Sequence, residues 1–238
     1  VEGPVRRYYQ HIQRYSAAFA LCADAAMLTL GGKLKFKEKT SARLGDMLSY
    51  LYIASAVLKR WEDQGRPPED LPLVHWACRT MIYRLQEQLH GLLRNFSNPL
   101  VAGVLRMIVF PTGRRYSAPS DATGRDIAEL LIGDTRARDR LCAGIYQGDR
   151  RPGSNDHVGL LAEALRLAVK CDPVEQRLRK AQKDGKLPAD ERVDLRAAAL
   201  EARIIDADES AALARFDQLM REIVSVDHFE YDELRRTP

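Results

Sequence analysis

No paired cysteines, no glycine-rich phosphate loop and no nucleophile elbow occur in this 238-residue chain. Its four cysteines, Cys22, Cys78, Cys142 and Cys171, stand far apart with no CxxC. That argues against a disulfide framework or a paired-cysteine zinc site, and a cytoplasmic protein with reduced thiols is expected. The patterns GxGxxG, GxxxxGK[ST] and GxSxG are all missing. Nucleotide binding or serine catalysis through those devices therefore has no support. The apolar segment Leu100–Phe110 has 11 residues, whereas a bilayer span takes about 20, so a buried core helix rather than a membrane-dipping one is expected there. No segment alternates with period two for long enough to argue a strand. Neither internal repeats nor low-complexity tracts occur, and no charged-then-apolar leader opens the chain. The opening Val1-Glu2-Gly3-Pro4 reads as that of a fragment or a processed product.

What is present suffices for a sizeable core. Hydrophobic residues make up 45% and charged residues 29%, a balance that fits a folded domain, excludes a membrane-embedded one and leaves disorder to the ends. The net charge of +4 hides an asymmetry. Residues 1–119 carry 17 Lys/Arg against 9 Asp/Glu, and residues 120–238 carry 20 against 24, so the halves are +8 and −4. A basic first half suits phosphates, CoA or an anionic lipid surface. Because no basic run exceeds a few residues, a solvated surface that meets the acidic second half is the preferred reading. No nucleic-acid partner is expected.

Helical periodicity dominates the first half. Tyr8, Ile12, Tyr15, Phe19, Cys22 and Ala26 recur at steps of four and three, on one face of a helix that Gly31-Gly32 ends. A second helix is predicted from Thr40 or Ser41, as N-cap, to Trp61, with Leu44, Leu48, Leu51, Ala54 or Ser55, and Leu58 as its stripe. Residues 62–72, with Gly65 and three prolines, read as a loop. A third helix to Phe96 carries Val74, Cys78, Met81, Leu85, Leu89 and Leu92, and Asn98-Pro99 starts a fourth that Pro111 ends. In the second half, helices are predicted over 123–132, 135–142, 158–170, 173–183, 189–205 and 208–224. Asp172-Pro173 serves there as a cap and first helical position. The expected fold is all-α: an antiparallel bundle of long helices over about 5–110, with shorter helices packed on it. A basic long-helix part, 1–119, and an acidic short-helix part, 120–238, are the expected divisions.

Candidate chemistry is thin. His75 and Cys78 lie three apart on one helix, but no second ligand pair matches them, so no metal site is assigned. The acids Glu62, Asp63, Glu69 and Asp70 read as a solvated cluster. Thr112-Gly113-Arg114-Arg115-Tyr116 is the most anion-friendly stretch. Glycine permits close backbone approach, and Arg114 and Arg115 can fork onto a phosphate. The competing reading pairs these arginines with Asp121 or Asp126, or places them at helix ends.

Several distinctive blocks follow one another along the chain: Arg7-Tyr8-Tyr9-Gln10-His11, Leu30-Gly31-Gly32-Lys33-Leu34, Ser41-Ala42-Arg43-Leu44-Gly45-Asp46, Asp70-Leu71-Pro72-Leu73-Val74-His75-Trp76 and Phe110-Pro111-Thr112-Gly113-Arg114. They continue through Gly144-Ile145-Tyr146, residues 158–165, Cys171-Asp172-Pro173 and Val226-Asp227-His228-Phe229. Together they resemble the C-terminal domain of bacterial long-chain acyl-CoA dehydrogenases. The resemblance implies a parent enzyme that oxidises fatty acyl-CoA to trans-2-enoyl-CoA in β-oxidation, with FAD taking the hydride. It also implies that the catalytic base, the flavin site and most CoA contacts lie in an upstream region. No catalytic, cofactor-binding or metal residue is carried over. Glu2, which precedes a glycine as the family's base often does, is not assigned because the residues after it match a later segment. The chain alone is expected to be inactive and to hold no FAD. Its expected partners are the upstream catalytic region and a second copy in a homodimer, with acyl-CoA bound by the parent. A peripheral contact with the inner membrane is a further expectation. A stand-alone helical module that binds an acyl chain, a membrane surface or a partner helix is the alternative, and an independent helical enzyme ranks last.

Overall fold

The inner face of the first helix, α1 (Arg6–Leu30), is the predicted stripe: Tyr15, Cys22 and Ala26 are buried, and Tyr8, Ile12 and Phe19 are packed beside them. Gly31, at φ +50°, ends α1 and leads into a 3-10 turn, Gly31–Phe36. The computed structural model describes residues 3–133, 135–149, 156–188 and 194–225, and every regular element among them is helical. The fold is all-α.

The second helix, α2 (Glu38–Asp63), starts earlier than its sequence suggested. Lys37 stands at its N-cap without a side-chain bond, and the Ser41 hydroxyl donates instead to the Leu34 carbonyl at 3.0 Å. The 3-10 turn thus feeds straight into the helix and leaves Ser41 inside it. Its buried stripe is Met47, Leu51, Ala54, Leu58 and Trp61. Leu48, expected in the core, is 56% exposed, and the unbranched Met47 takes that place one position earlier. A second 3-10 turn, Pro68–Asp70, breaks the predicted loop, and Asp70, expected in solvent, is buried where α3 (Leu71–Arg94) begins.

On α3, Val74, Cys78, Leu85, Leu89 and Leu92 point inward as predicted, while Ile82 replaces the half-buried Met81. Leu58 and Trp61 meet Val74 and Cys78 at one end, and Met47 meets Leu89 and Leu92 in the main cluster, so α2 and α3 run antiparallel. The next helix, α4 (Pro99–Val109), has the predicted Asn98 cap, which accepts from the Leu100 and Val101 amides. It is not buried all round. Ala102, Leu105 and Val109 enter the core, while Leu100 (82% exposed), Val104 (53%), Met107 (69%) and Ile108 (58%) form an outer apolar face.

The chain divides into units Val1–Glu129 and Leu130–Pro238, so the boundary falls within α5 (Asp121–Ile132) rather than at 119/120. In the second unit, α6 (Arg136–Cys142) is capped by Thr135 and α7 (His157–Lys183) by Asp156. Asp194 caps α8 (Leu195–Glu201), and a capping box of Asp206 and Glu209 opens α9 (Ala207–Val224). The acidic half is therefore not made only of short helices. Helix α7 continues through Pro173, where two helices were predicted. The proline removes one backbone donor, but Cys171, Val174, Leu178 and Ala181 keep one buried stripe running past it. Early α7 (Leu160, Ala164) packs with late α9 (Leu219), and Leu178 packs with Leu213, so these helices are antiparallel. This unit has its own core.

Candidate functional site

A cleft of about 730 Å³ opens in the first unit where the N-terminal turns of α1 and α3 meet the segment after α4. Two helices supply it by the same device. Arg7 and His11 are four apart on α1, and His75 and Arg79 are four apart on α3, so each pair shares one helix face and lines the cleft. The third wall is the extended stretch that brings Arg115 and Tyr116.

That stretch is pinned by a buried side chain. Gln86, only 1% exposed on α3, donates from Nε2 to the Tyr116 carbonyl at 2.9 Å. Its Oε1 accepts from the Tyr116 amide at 3.1 Å. Both backbone groups of Tyr116 are thereby satisfied by one amide, which fixes the direction in which the phenol leaves the chain. The Tyr116 hydroxyl lies 2.6 Å from His11 Nδ1, and the rings meet edge to face. Across the cleft, the Tyr8 hydroxyl lies 2.9 Å from His75 Nδ1.

Electrostatics follow from this packing. Burial lowers the His11 pKa, with Arg14 and Arg7 adding to the effect, and burial followed by Arg79 lowers that of His75. Both imidazoles are therefore neutral at pH 7. Tyr8 and Tyr116 are raised, chiefly by burial, and stay protonated. Among the described residues, none of Arg7, Arg79 and Arg115 is in a salt bridge. One carboxylate, Asp126, shares the lining. The cleft is thus an excess of guanidinium donors set beside two phenols and two imidazoles. Such an arrangement can neutralise an anion and hydrogen-bond it.

The two arginines singled out by sequence part company here. Arg115 lines the cleft, whereas Arg114 reaches Glu87 of α3 at 3.1 Å. Asp121 and Asp126, the expected partners, are not the ones Arg114 uses. Arg7, His11, His75, Arg79 and the two tyrosines were missed as a group: the Arg/His spacing of four is visible on each helix, but nothing in the sequence shows that the two pairs meet. Cys78 turns away from His75 into the core, fully buried, and burial pushes its thiol up to about 12. Nearby, Asp63 pairs with Lys59 on the surface, and the half-buried Glu62 lies 3.5 Å from Arg66. Glu2, His228 and the Val226–Phe229 block lie outside the described residues.

A family model described as acyl-CoA dehydrogenase, C-terminal, bacterial type, matches residues 1–229. The chain belongs to that family. No solved structure matches it. In this acyl-CoA dehydrogenase C-terminal domain, the cleft sits inside the first unit, well within the matched span. The family implies FAD in the parent enzyme. No chemical step is assigned to flavin in this chain.

Proposed function

We propose that the chain is the non-catalytic C-terminal helical part of an FAD-dependent long-chain acyl-CoA dehydrogenase of fatty acid β-oxidation. The parent converts acyl-CoA to trans-2-enoyl-CoA. The base and the flavin belong to the upstream region, and this part supports domain packing, dimerisation or the acyl tunnel. The family match over residues 1–229 carries the reading. The outer face of α4 supports the packing role, because Leu100, Val104, Met107 and Ile108 form an apolar strip that an isolated domain leaves in water. The setting is cytoplasmic.

The test is association. The 238-residue chain is mixed with the separately produced, flavin-loaded dehydrogenase region and followed by sedimentation velocity. A stable complex is expected, and replacing Val104 and Ile108 by Asp weakens it. Two independently sedimenting species would contradict the reading.

The runner-up is a helical module that contacts a membrane surface. One observation favours it: Arg6–Phe36 contains a window of mean hydropathy 1.4, long and apolar enough to cross a bilayer by length and composition. Against it, Tyr15, Cys22 and Ala26 of the same helix close the bundle core.

A further inference from the structure

We infer that the cleft between α1, α3 and the Arg115–Tyr116 stretch is a binding site for the phosphate group of a phosphate ester. Three observations carry this, and none depends on the family reading. First, Arg7, Arg79 and Arg115 converge on one cavity from three separate chain segments. Elsewhere in the first unit Arg114 pairs with Glu87 and Arg66 with Glu62, while the exposed Arg94 and Arg106 make no ion pair among the described residues, so it is convergence on one cavity that sets the three cleft arginines apart. The three cleft arginines make no ion pair among the described residues. Placing like charges around one cavity is unfavourable without an anion.

Second, the polar groups beside them are pre-positioned. Tyr116 is held by Gln86 and by His11, and Tyr8 by His75. Their hydroxyls and ring nitrogens are therefore fixed donors and acceptors at the cavity wall. A phosphate oxygen that accepts from them needs little reorganisation. Third, the volume of about 730 Å³ exceeds what inorganic phosphate fills. The remaining wall includes Pro4, Pro72, Ile82 and Ala118, an apolar patch that suits the organic part of the ester. Asp126 on the same lining opposes a fully ionised ligand at its own edge. It orients the phosphate toward the arginines.

The same chemistry arises from a free organophosphate or from a phospholipid head group, and the experiment separates them. The 238-residue chain is titrated by calorimetry with pyrophosphate and ADP, and with adenosine as the uncharged control. In a second arm it is sedimented with phosphatidylcholine vesicles with and without phosphatidic acid. Each arm is repeated with the Arg79→Ala/Arg115→Ala variant. A control variant, Arg94→Ala/Arg106→Ala, removes the same charge from exposed positions outside the cleft. Circular dichroism establishes that both variants fold. The proposal expects binding of ADP or pyrophosphate but not adenosine, weakened about tenfold or more in the cleft variant and less than about twofold in the control. If only the vesicles with phosphatidic acid bind, and the cleft variant alone loses that binding, the source is lipid and the site stands. Absence of binding in both arms, or equal loss in the two variants, overturns it.

Discussion

Gln86 is the residue on which the cleft's third wall depends. Its side chain is buried and spends both amide functions on the backbone of Tyr116. Gln86→Leu keeps the volume but strands a backbone amide and a carbonyl. Leaving such part-buried groups unpaired costs about 1–3 kcal/mol each. Urea denaturation of the first unit is expected to show a loss of about 2–3 kcal/mol, and the fixed Tyr116–His11 contact is lost with it. A loss below about 0.5 kcal/mol, the range of ordinary surface substitutions, would mean that the stretch is held by something else. At this scale the sequence said little. A glutamine on a helix looks exposed, and nothing local marks Gln86 as the partner of a residue 30 positions away. Arg114 and Arg115 were both legible as anion-binding candidates, but only the fold sends Arg115 to the cleft and Arg114 to Glu87, because neighbouring residues in an extended stretch face opposite ways.

Among the elements, α7 holds the clearest departure from local rules. Asp172-Pro173 is a good helix start, and yet the helix passes through it. Proline in a helix interior costs about 3 kcal/mol through the missing donor and the ring's clash with the preceding turn. Burial of Cys171, Val174, Leu178 and Ala181 in one core offsets that. Pro173→Ala is expected to raise the stability of the second unit by about 1–3 kcal/mol in chemical denaturation. No change, or a loss, would show that packing on α9 requires the bend at Pro173. Helix stripes were the most legible elements. The steps of four and three from Tyr8 to Ala26 match the buried face of α1, because apolar spacing and burial are one signal there. On α2 the same reasoning slipped by one residue, from Met47 to Leu48, because both are apolar and only the neighbours decide which one turns inward. On α4, unbroken apolarity concealed that one face is uncovered.

As a whole molecule, the chain divides into two units, helical throughout their described regular elements, each with its own clusters of buried residues. The all-α class and the family were legible from helical periodicity and ordered blocks. The cleft was not, because its arginines come from positions 7, 79 and 115 and meet only in the fold. Family membership makes the chain part of an acyl-CoA dehydrogenase, and the residues that converge in it suit anion binding rather than hydride transfer. The central claim is that the oxidation chemistry is carried by another part of the enzyme. Its most direct test is a flavin titration: FAD is added to the purified chain, its visible spectrum is followed, and a long-chain acyl-CoA is then added. The account predicts that no flavin is retained after gel filtration and that no acyl-CoA-dependent bleaching occurs. Stoichiometric flavin binding, with bleaching on addition of the acyl-CoA, would show that the chain holds a complete active site and would contradict the account.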